Sequence, residues 1–542
     1  MVTSTSTTTS STKTYQDAED YSMKVLARVK SFDEAPLHST AYLGYLAKYL
    51  RRPFKQQQHQ SLPQYQPEAR KFIDRYVIQP NRMPVVACFN NPDDFRASGV
   101  PAGNELLFLR GHPSAAWLNE IGQMYKLDHR FYHSHLAATI PNREHWYALP
   151  TLPSRAAGML KFRIPTIVQV GAAGRDLSVE QLEYARHKCN EHLRKMFRSI
   201  RDCTAEPGHS LIRAINIHNG NILVMEQEMT ATVVHRGDLW SVIVWTDTGD
   251  ERGTAHVPVP TTEGFSTVTN QRSFWPTFFE NDLVEGQLYT PHTGTPVNGE
   301  CRQPMVVLSN QYGSTVDWAS PAGATPTSVI QELLTFEACA VLQYFNMLED
   351  LPTELMRRTQ FPSYEHTKLE TILHFDYTKE VLSRWKTHLL ELLAFVSNPP
   401  EAWRPSTTLR EGSSTQSQPL QSDSTHDITY LLDRAESLVA ICDDSKATLM
   451  SNASVQEAKR SAYEASLVTG LTKATNRLTF IFLPISFITS VFGMNFSQFG
   501  QGPLSIWIWV AITCPILIFS IVIVEKGSWI KTRFRQKRQK PR

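Results

Sequence analysis

The pattern of apolar and polar positions divides the chain into a strand-rich part and a helix-rich part. Between about residues 21 and 325, short apolar runs alternate with loops rich in proline and glycine. Several runs are rich in Val, Ile, Thr and Trp, a composition typical of strands; they are 106–111, 165–171, 222–237 and 238–247. Residues 179–197 instead repeat apolar side chains at the spacing of an amphipathic helix. We therefore predict a mixed α/β domain for this part of the chain.

After this domain the apolar positions follow helical spacing over long stretches. Two long helices are predicted, at 328–351 and 366–396. A polar, low-complexity segment follows, and residues 400–427 are predicted to form an exposed disordered loop. The next helical run begins near Ile428 and contains no proline before Pro484. Such a helix would extend on the order of 100 Å at 1.5 Å per residue, too long for one compact domain to bury, so we interpret these helices as a stalk.

Two uncharged apolar stretches close the helix-rich part. The first covers 478–494, and the second, 503–524, has no charge over 22 residues, which is enough to cross the hydrocarbon core of a bilayer. Trp507 and Trp509 lie where an interfacial aromatic belt would place them. Basic residues flank the start of the first stretch and the end of the second, so the positive-inside rule predicts that both termini are cytoplasmic and that the 496–502 loop faces outward. The lipid bilayer is therefore an expected partner.

The overall composition limits the membrane part to a minority of the chain. Of the 542 residues, 41% are hydrophobic and 20% are charged, which is closer to a soluble protein than to a transporter with many spans. A net charge of +2 argues against a nucleic-acid binder. The seven cysteines are scattered and never spaced as Cys-x-x-Cys, which favours reduced thiols over disulfides or a zinc site. The N-terminus has no apolar run of the kind that a secretory signal needs.

These patterns predict five segments along the chain. They are a disordered tail at 1–18, a cytosolic α/β domain at 19–325, stalk helices at 326–475 interrupted by the 400–427 loop, a two-helix transmembrane domain at 476–526, and a basic cytoplasmic tail at 527–542. Two helices per chain cannot enclose a pore, so we expect any pore to require a homo-oligomer.

The tripeptide Gly493-Met494-Asn495 ends the first apolar stretch. A long helical run leads into it, and a short loop and the second apolar stretch follow it. In this arrangement the chain resembles the CorA family of magnesium channels over roughly residues 428–526, and the run 106–136 looks like the cytosolic region of fungal-type CorA-like proteins. The resemblance implies a funnel-shaped homopentamer that passes Mg²⁺. Independently of the resemblance, we expect the plasma membrane as its location.

The chemistry of Mg²⁺ is consistent with a selectivity filter at this tripeptide. The ion dehydrates reluctantly, so a filter has to handle a largely hydrated ion. Backbone carbonyls and a neutral amide can accept hydrogen bonds from its water shell. Gly493 allows the backbone to turn out of the helix, Asn495 supplies a side-chain oxygen, and Met494 is expected to pack. We therefore expect Gly493, Met494 and Asn495 to form the filter.

Small and polar side chains recur along one face of the helix that leads to this tripeptide. The predicted pore-lining residues are Thr472, Asn476, Thr479, Leu483, Ser486 and Ser490, and the series continues to Thr469 and Gly493. Alternating steps of three and four residues keep them on one face of a helix in a left-handed bundle. We expect this face to line the pore, with Leu483 as an apolar constriction. The alternative is that small residues only allow the helices to pack closely.

Two features depart from the family pattern. The outer loop carries no acidic residue, although many family members have one that would concentrate cations. Regulatory Mg²⁺ sites in the family use carboxylates at subunit contacts, and the candidates here are Asp443, Asp444, Glu457 and Glu464. The alternative is that these carboxylates only form the solvated face of a stalk helix. Two alternatives therefore stay open: a membrane-anchored regulatory or scaffolding protein with little transport, and a transporter for Zn²⁺, Co²⁺ or Ni²⁺.

The remaining motifs do not indicate an enzyme. His129, His133 and His135 have spacings that could seat a metal, but no fixed carboxylate or cysteine partner is evident, so we interpret them as surface or core histidines. Residues 170–176 contain glycines but match neither a dinucleotide fingerprint nor a P-loop. The sequence contains no nucleophile elbow, kinase motif set or zincin motif. We expect no catalytic residues.

Overall fold

A computed structural model provides the structure of the chain, which divides into two compact units, Met1–Lys446 and Ala447–Arg542. The residues that the structure describes are 19–31, 33–36, 38–40, 43–52, 72–79, 82–136, 152, 158–170, 177–201, 208–249, 271–276, 303–313, 325–359, 367–404, 419–492, 497, 503 and 505–538. The predicted disordered tail, 1–18, lies outside them.

The first unit is built on one mixed β-sheet. Its described strands are β1 (Ile73–Gln79), β2 (Arg82–Phe89), β3 (Asn104–Arg110), β4 (Met159–Val170), β5 (Ala214–Ile217), β6 (Ile222–Arg236), β7 (Leu239–Thr246) and β8 (Gln271–Phe274). The strand order is β2-β1-β3-β7-β6-β4-β8, and β5 pairs with β6. Strands β3 and β7 are parallel, whereas β7 runs antiparallel to β6. The four predicted strands correspond to β3, β4, β6 and β7, so the mixed α/β prediction is confirmed.

Helices cover both faces of this sheet. A helical segment at 19–27 is followed by α1 (Gly44–Leu50), α2 (Pro92–Ser98), α3 (Ala115–Tyr125), α4 (His129–His135), α5 (Val179–Arg201), α6 (Pro304–Gln311), α7 (Pro326–Val329), α8 (Gln331–Thr359), α9 (Thr367–Ser397), α10 (Pro419–Phe492) and α11 (Ile506–Arg538). Nearly every residue of β7 is buried, as expected for a central strand with helices on both sides. One core joins α1, α3 and α4 to β3 and β7, and a second joins α5 to β5 and β6.

Two of the helices predicted as a stalk pack against the sheet instead. The backbone N–H of Arg163 in β4 donates to Glu337 Oε1 of α8 at 2.8 Å, and His388 Nε2 of α9 lies 2.5 Å from the same oxygen. Tyr344 of α8 and Trp385 of α9 are fully buried, with ring centroids 6.1 Å apart. Because their apolar faces are covered within one chain, α8 and α9 belong to the compact first unit.

The polar break between α9 and α10 is shorter than the predicted 400–427. A 3₁₀ turn at Glu401–Trp403 follows α9, and the fully buried Trp403 donates its indole N–H to Gly158 O at 3.3 Å. Helix α10 already begins at Pro419. Residues 405–418, the middle of the predicted loop, lie outside the described residues.

Candidate functional site in the C-terminal helices

Helix α10 begins in the first unit and continues, as one helix of 74 residues, through the first apolar stretch. In its first part Ile428, Leu431, Ala435 and Leu438 are each at most 3% exposed, and their spacing of three and four residues marks one buried face. From 451 to 480 every side chain is exposed. Residues 451–480 are therefore not covered by any described residue of a single chain.

Ion pairs hold the first part of α10 to α9 in one register. The pairs are Asp376–Lys446 at 2.7 Å, Lys379–Asp443 at 2.7 Å and Lys386–Glu436 at 2.6 Å. Steps of three and seven residues along α9 are matched by equal steps backwards along α10, so the two helices are antiparallel. All six side chains are at least 31% exposed, and pairs of this kind each contribute roughly 0–1 kcal/mol to stability. What the three pairs determine together is the register.

The predicted regulatory carboxylates do not converge in one chain. Asp443 is bound to Lys379 through both carboxylate oxygens, and Glu464 lies 3.3 Å from Arg460 of the same helix. Asp444 and Glu457 are exposed. Among the described residues, no group of three or more His, Cys, Asp or Glu side chains is placed to hold a metal ion. A regulatory site at these residues stays a prediction that requires a second subunit.

The predicted pore-lining residues all lie at exposed positions in the second part of α10. Thr472, Asn476, Thr479, Leu483, Ser486 and Ser490 are all exposed, and Leu483 is 64% exposed. By contrast, Ile488, on another face of the helix, is only 7% exposed. These six residues, here called the polar stripe although they include Leu483, are thus available to face either water or another copy of the chain.

The threonine hydroxyls on this helix donate their hydrogen bonds to backbone carbonyls of the same helix. Thr472 donates to Val468 O at 2.8 Å and Thr479 donates to Thr475 O at 2.9 Å, each bond closing on the carbonyl four residues earlier. Each hydroxyl proton is therefore used inside the helix, and the oxygen lone pairs remain as acceptors on the exposed side. The waters around Mg²⁺ present their hydrogens outward, so acceptors of this kind match a hydrated cation.

Two described helices are long and apolar enough to cross a membrane. The candidate spans lie within 423–491 of α10 and at Ile506–Ile523 of α11. In the second, Trp507 is 74% exposed and Thr513 is 6% exposed. Helix α11 continues to Arg538, so most of the predicted basic tail is helical. Gly493, Met494 and Asn495, the predicted filter, lie outside the described residues.

A buried polar network in the first unit was missed by sequence reasoning. His135 Nδ1 lies 2.9 Å from Thr230 Oγ1, its Nε2 lies 3.2 Å from Asp247 Oδ1, and its ring stacks on Trp245 with centroids 4.1 Å apart. Arg213 donates to both Asp247 carboxylate oxygens at 2.7 Å. Burial alone would raise the pKa of Asp247, but Arg213 and His135 hold it below its usual range. With His135 and Asp247 fully buried, the network stabilises the fold and offers no open site.

Acid should destabilise this unit through its buried histidines. Burial lowers the pKa of His135 to about 4 and that of His112, beside His209, also to about 4. Between the usual histidine pKa of about 6.5 and the lowered value of about 4, the unfolded chain binds more protons than the folded chain. The contribution of these histidines to the free energy of unfolding is therefore fully present above pH ~6.5 and is lost as the pH falls towards ~4. Once the pH has fallen to about 4, each histidine has lowered the free energy of unfolding by about 3 kcal/mol.

The measurement is the urea midpoint of the full chain in a neutral detergent at decreasing pH. His112→Phe keeps an aromatic ring against Tyr49, whose ring lies 5.9 Å from His112. In this variant the urea midpoint should fall less as the pH decreases. Replacement of the exposed His187 by Gln is the matched control and should leave the loss unchanged. A midpoint that stays constant from neutral pH to pH 5 would contradict this account.

One comparison with known proteins matches the C-terminal helices. A family model described as CorA-like Mg²⁺ transporter protein matches residues 381–526. The matched segment begins within α9, covers the uncovered part of α10, and extends past the apolar part of α11. No curated protein matches the chain.

Proposed function

We propose that this protein is a CorA-like channel that passes Mg²⁺ across a membrane down its electrochemical gradient, because residues 381–526 match the model of the CorA-like Mg²⁺ transporter family. One observation carries the proposal: the matched segment contains the two described helices that are apolar enough to span a bilayer, and one of them has exposed polar residues along one face. The match is to a family of transporters, and we propose no catalytic activity. The proposed location is the plasma membrane, and the basic residues at the inner ends of both spans favour cytoplasmic termini.

The pore is formed by several copies of the chain. In one chain the exposed Thr479, Ser486 and Ser490 would face lipid, where unsatisfied polar groups are costly. Copies arranged around an axis turn these groups towards one shared water-filled channel, with Leu483 as its apolar constriction. The proposed number of five copies comes from the family resemblance.

The selectivity filter is formed by Gly493, Met494 and Asn495. In the sequence, the stripe proceeds from Ser486 to Ser490 and then to Gly493 by steps of four and three residues, so the proposed filter begins where the stripe ends. Carbonyl and amide oxygens there accept hydrogen bonds from the water shell, which a hydrated Mg²⁺ retains. Carboxylates of neighbouring subunits, among them Asp444 and Glu457, are the proposed regulatory Mg²⁺ ligands.

The direct test of the proposal is Mg²⁺ entry into vesicles that contain the purified protein and an internal Mg²⁺-sensitive dye. We expect entry above that of protein-free vesicles, and faster entry when the interior is made electrically negative, because transport follows the electrochemical gradient. Parallel measurements with Zn²⁺, Co²⁺ and Ni²⁺ establish which ion is preferred. Folded, correctly assembled protein that admits none of these ions would overturn the proposal.

The assembly itself gives a second expected result. Under gentle extraction in detergent the protein mass should be a multiple of the 61.5 kDa chain, because a single chain leaves its polar stripe uncovered. The measurement is light scattering after size-exclusion chromatography, with the bound detergent subtracted. A clean monomer that retains its fold would contradict the shared pore.

A further inference from the structure

A run of basic residues continues helix α11 beyond its apolar part. The part that is long enough to span a membrane is Ile506–Ile523, whereas the helix itself extends to Arg538. In this continuation Glu525 is the only acidic residue; the basic residues are Lys526, Lys531, Arg533, Arg535, Lys537 and Arg538. Because the backbone is helical, these charges leave the apolar part at a fixed rise of about 1.5 Å per residue.

We propose that residues 526–538 bind the anionic headgroups of the lipid leaflet from which α11 emerges. A headgroup layer of about 5–8 Å and a Debye length of about 8 Å together reach roughly ten residues of helix beyond Ile523. Lys526, Lys531 and Arg533 lie within that distance. A basic residue at such a surface raises the affinity for acidic lipid by about fivefold, so several together select acidic over neutral headgroups.

The other membrane helix brings further positive charge to the same leaflet. Lys473 and Arg477 are exposed and directly precede the apolar stretch of α10. If α10 and α11 both cross the bilayer, the start of the first stretch and the end of the second lie on the same side. Charge complementarity and continuity with a span therefore favour lipid over a soluble acidic partner. The inference requires membrane insertion but not ion conduction, so its test is independent of the proposed channel activity.

The test measures which lipids surround the full-length protein. The protein is reconstituted in phosphatidylcholine with a minor fraction of phosphatidylserine, excised with its nearest lipids by a styrene–maleic acid copolymer, and its lipids are quantified by mass spectrometry. The variant Lys526→Gln, Lys531→Gln, Arg533→Gln removes the three charges that lie within reach of the headgroups. Its matched control, Arg194→Gln, Lys195→Gln, Arg198→Gln, removes three exposed charges from α5 in the first unit.

The parent and the α5 control should be enriched in phosphatidylserine, and the α11 variant should lose that enrichment by about fivefold or more. Reconstitution at high salt should reduce the enrichment of the parent as well, because exposed charges are screened. Equal enrichment in parent and α11 variant would overturn the proposal. An α11 variant with unchanged lipids but a smaller oligomer mass would also overturn it, and would assign the segment to subunit contacts.

Discussion

Vesicles that contain the Asn495→Ala variant should take up Mg²⁺ no faster than protein-free vesicles. The substitution removes one acceptor from every subunit at once, and each lost hydrogen bond to an ion-bound water costs about 1 kcal/mol. Summed around the ring, the losses should abolish selective entry. Gly493→Ala should fail too, because the added Cβ opposes the turn that exposes the carbonyl.

Thr489→Ala is the matched control for this prediction. Thr489 is exposed, lies off the polar stripe, and donates its hydroxyl to Ile485 O at 2.8 Å, so its loss should leave entry near that of the parent. All three variants are compared at equal protein amount and equal oligomer mass. If Asn495→Ala conducts as well as the parent, the filter lies elsewhere, although the channel proposal would survive.

Asp247→Ala should largely unfold the first unit. The substitution leaves Arg213 and His135 without the carboxylate between them in a buried site, and breaking a buried pair in this way costs about 3–5 kcal/mol. That is a large part of the roughly 5–15 kcal/mol that stabilises a typical domain. We expect a lower urea midpoint and faster hydrogen exchange in the amides of β7.

The control for this second prediction is Asp443→Ala, which also removes one carboxylate from an ion pair. Asp443 is 50% exposed, and loss of a surface pair should cost less than about 1 kcal/mol. Asp247→Asn keeps an acceptor for Arg213 and should fall between the two. Equal urea midpoints for Asp247→Ala and Asp443→Ala would show that burial of the network adds nothing to stability.

The elements that were predictable from sequence are those whose signal is local. Strand β7 is an apolar run interrupted only by Ser241 before its last residue, Thr246, and the polar stripe of α10 follows helical spacing, so both were evident from periodicity. The start of α10 was not, because residues 419–427 are mostly polar and resemble a loop. They are helical since Pro419 suits a first helical position and the buried Ser424 accepts a hydrogen bond from Gln331 of α8.

The end of α11 and the buried network show two further limits. The apolar run stops near residue 524, but Lys and Arg are good helix formers, so the helix continues to Arg538. Asp247, Arg213 and His135 are far apart in the chain, and no spacing rule connects them; the sheet brings them together. What faces the polar stripe of α10 also lies beyond local patterns, because in the proposed pore it depends on other copies of the chain.

The three ion pairs between α9 and α10 restrict how the long helix can move. If α10 slid along α9 by one turn, all three pairs would break. In one direction Lys379 would meet Lys446; in the other Asp376 would meet Asp443, while Lys386 would meet Asp433. Like charges therefore oppose sliding in the first direction, and in the second a new opposite-charge pair offsets the repulsion. A motion that carries α9 and α10 together keeps every pair. Movement of the first part of α10 against the sheet is thus expected to tilt or rotate α9 and α10 together as one rigid pair.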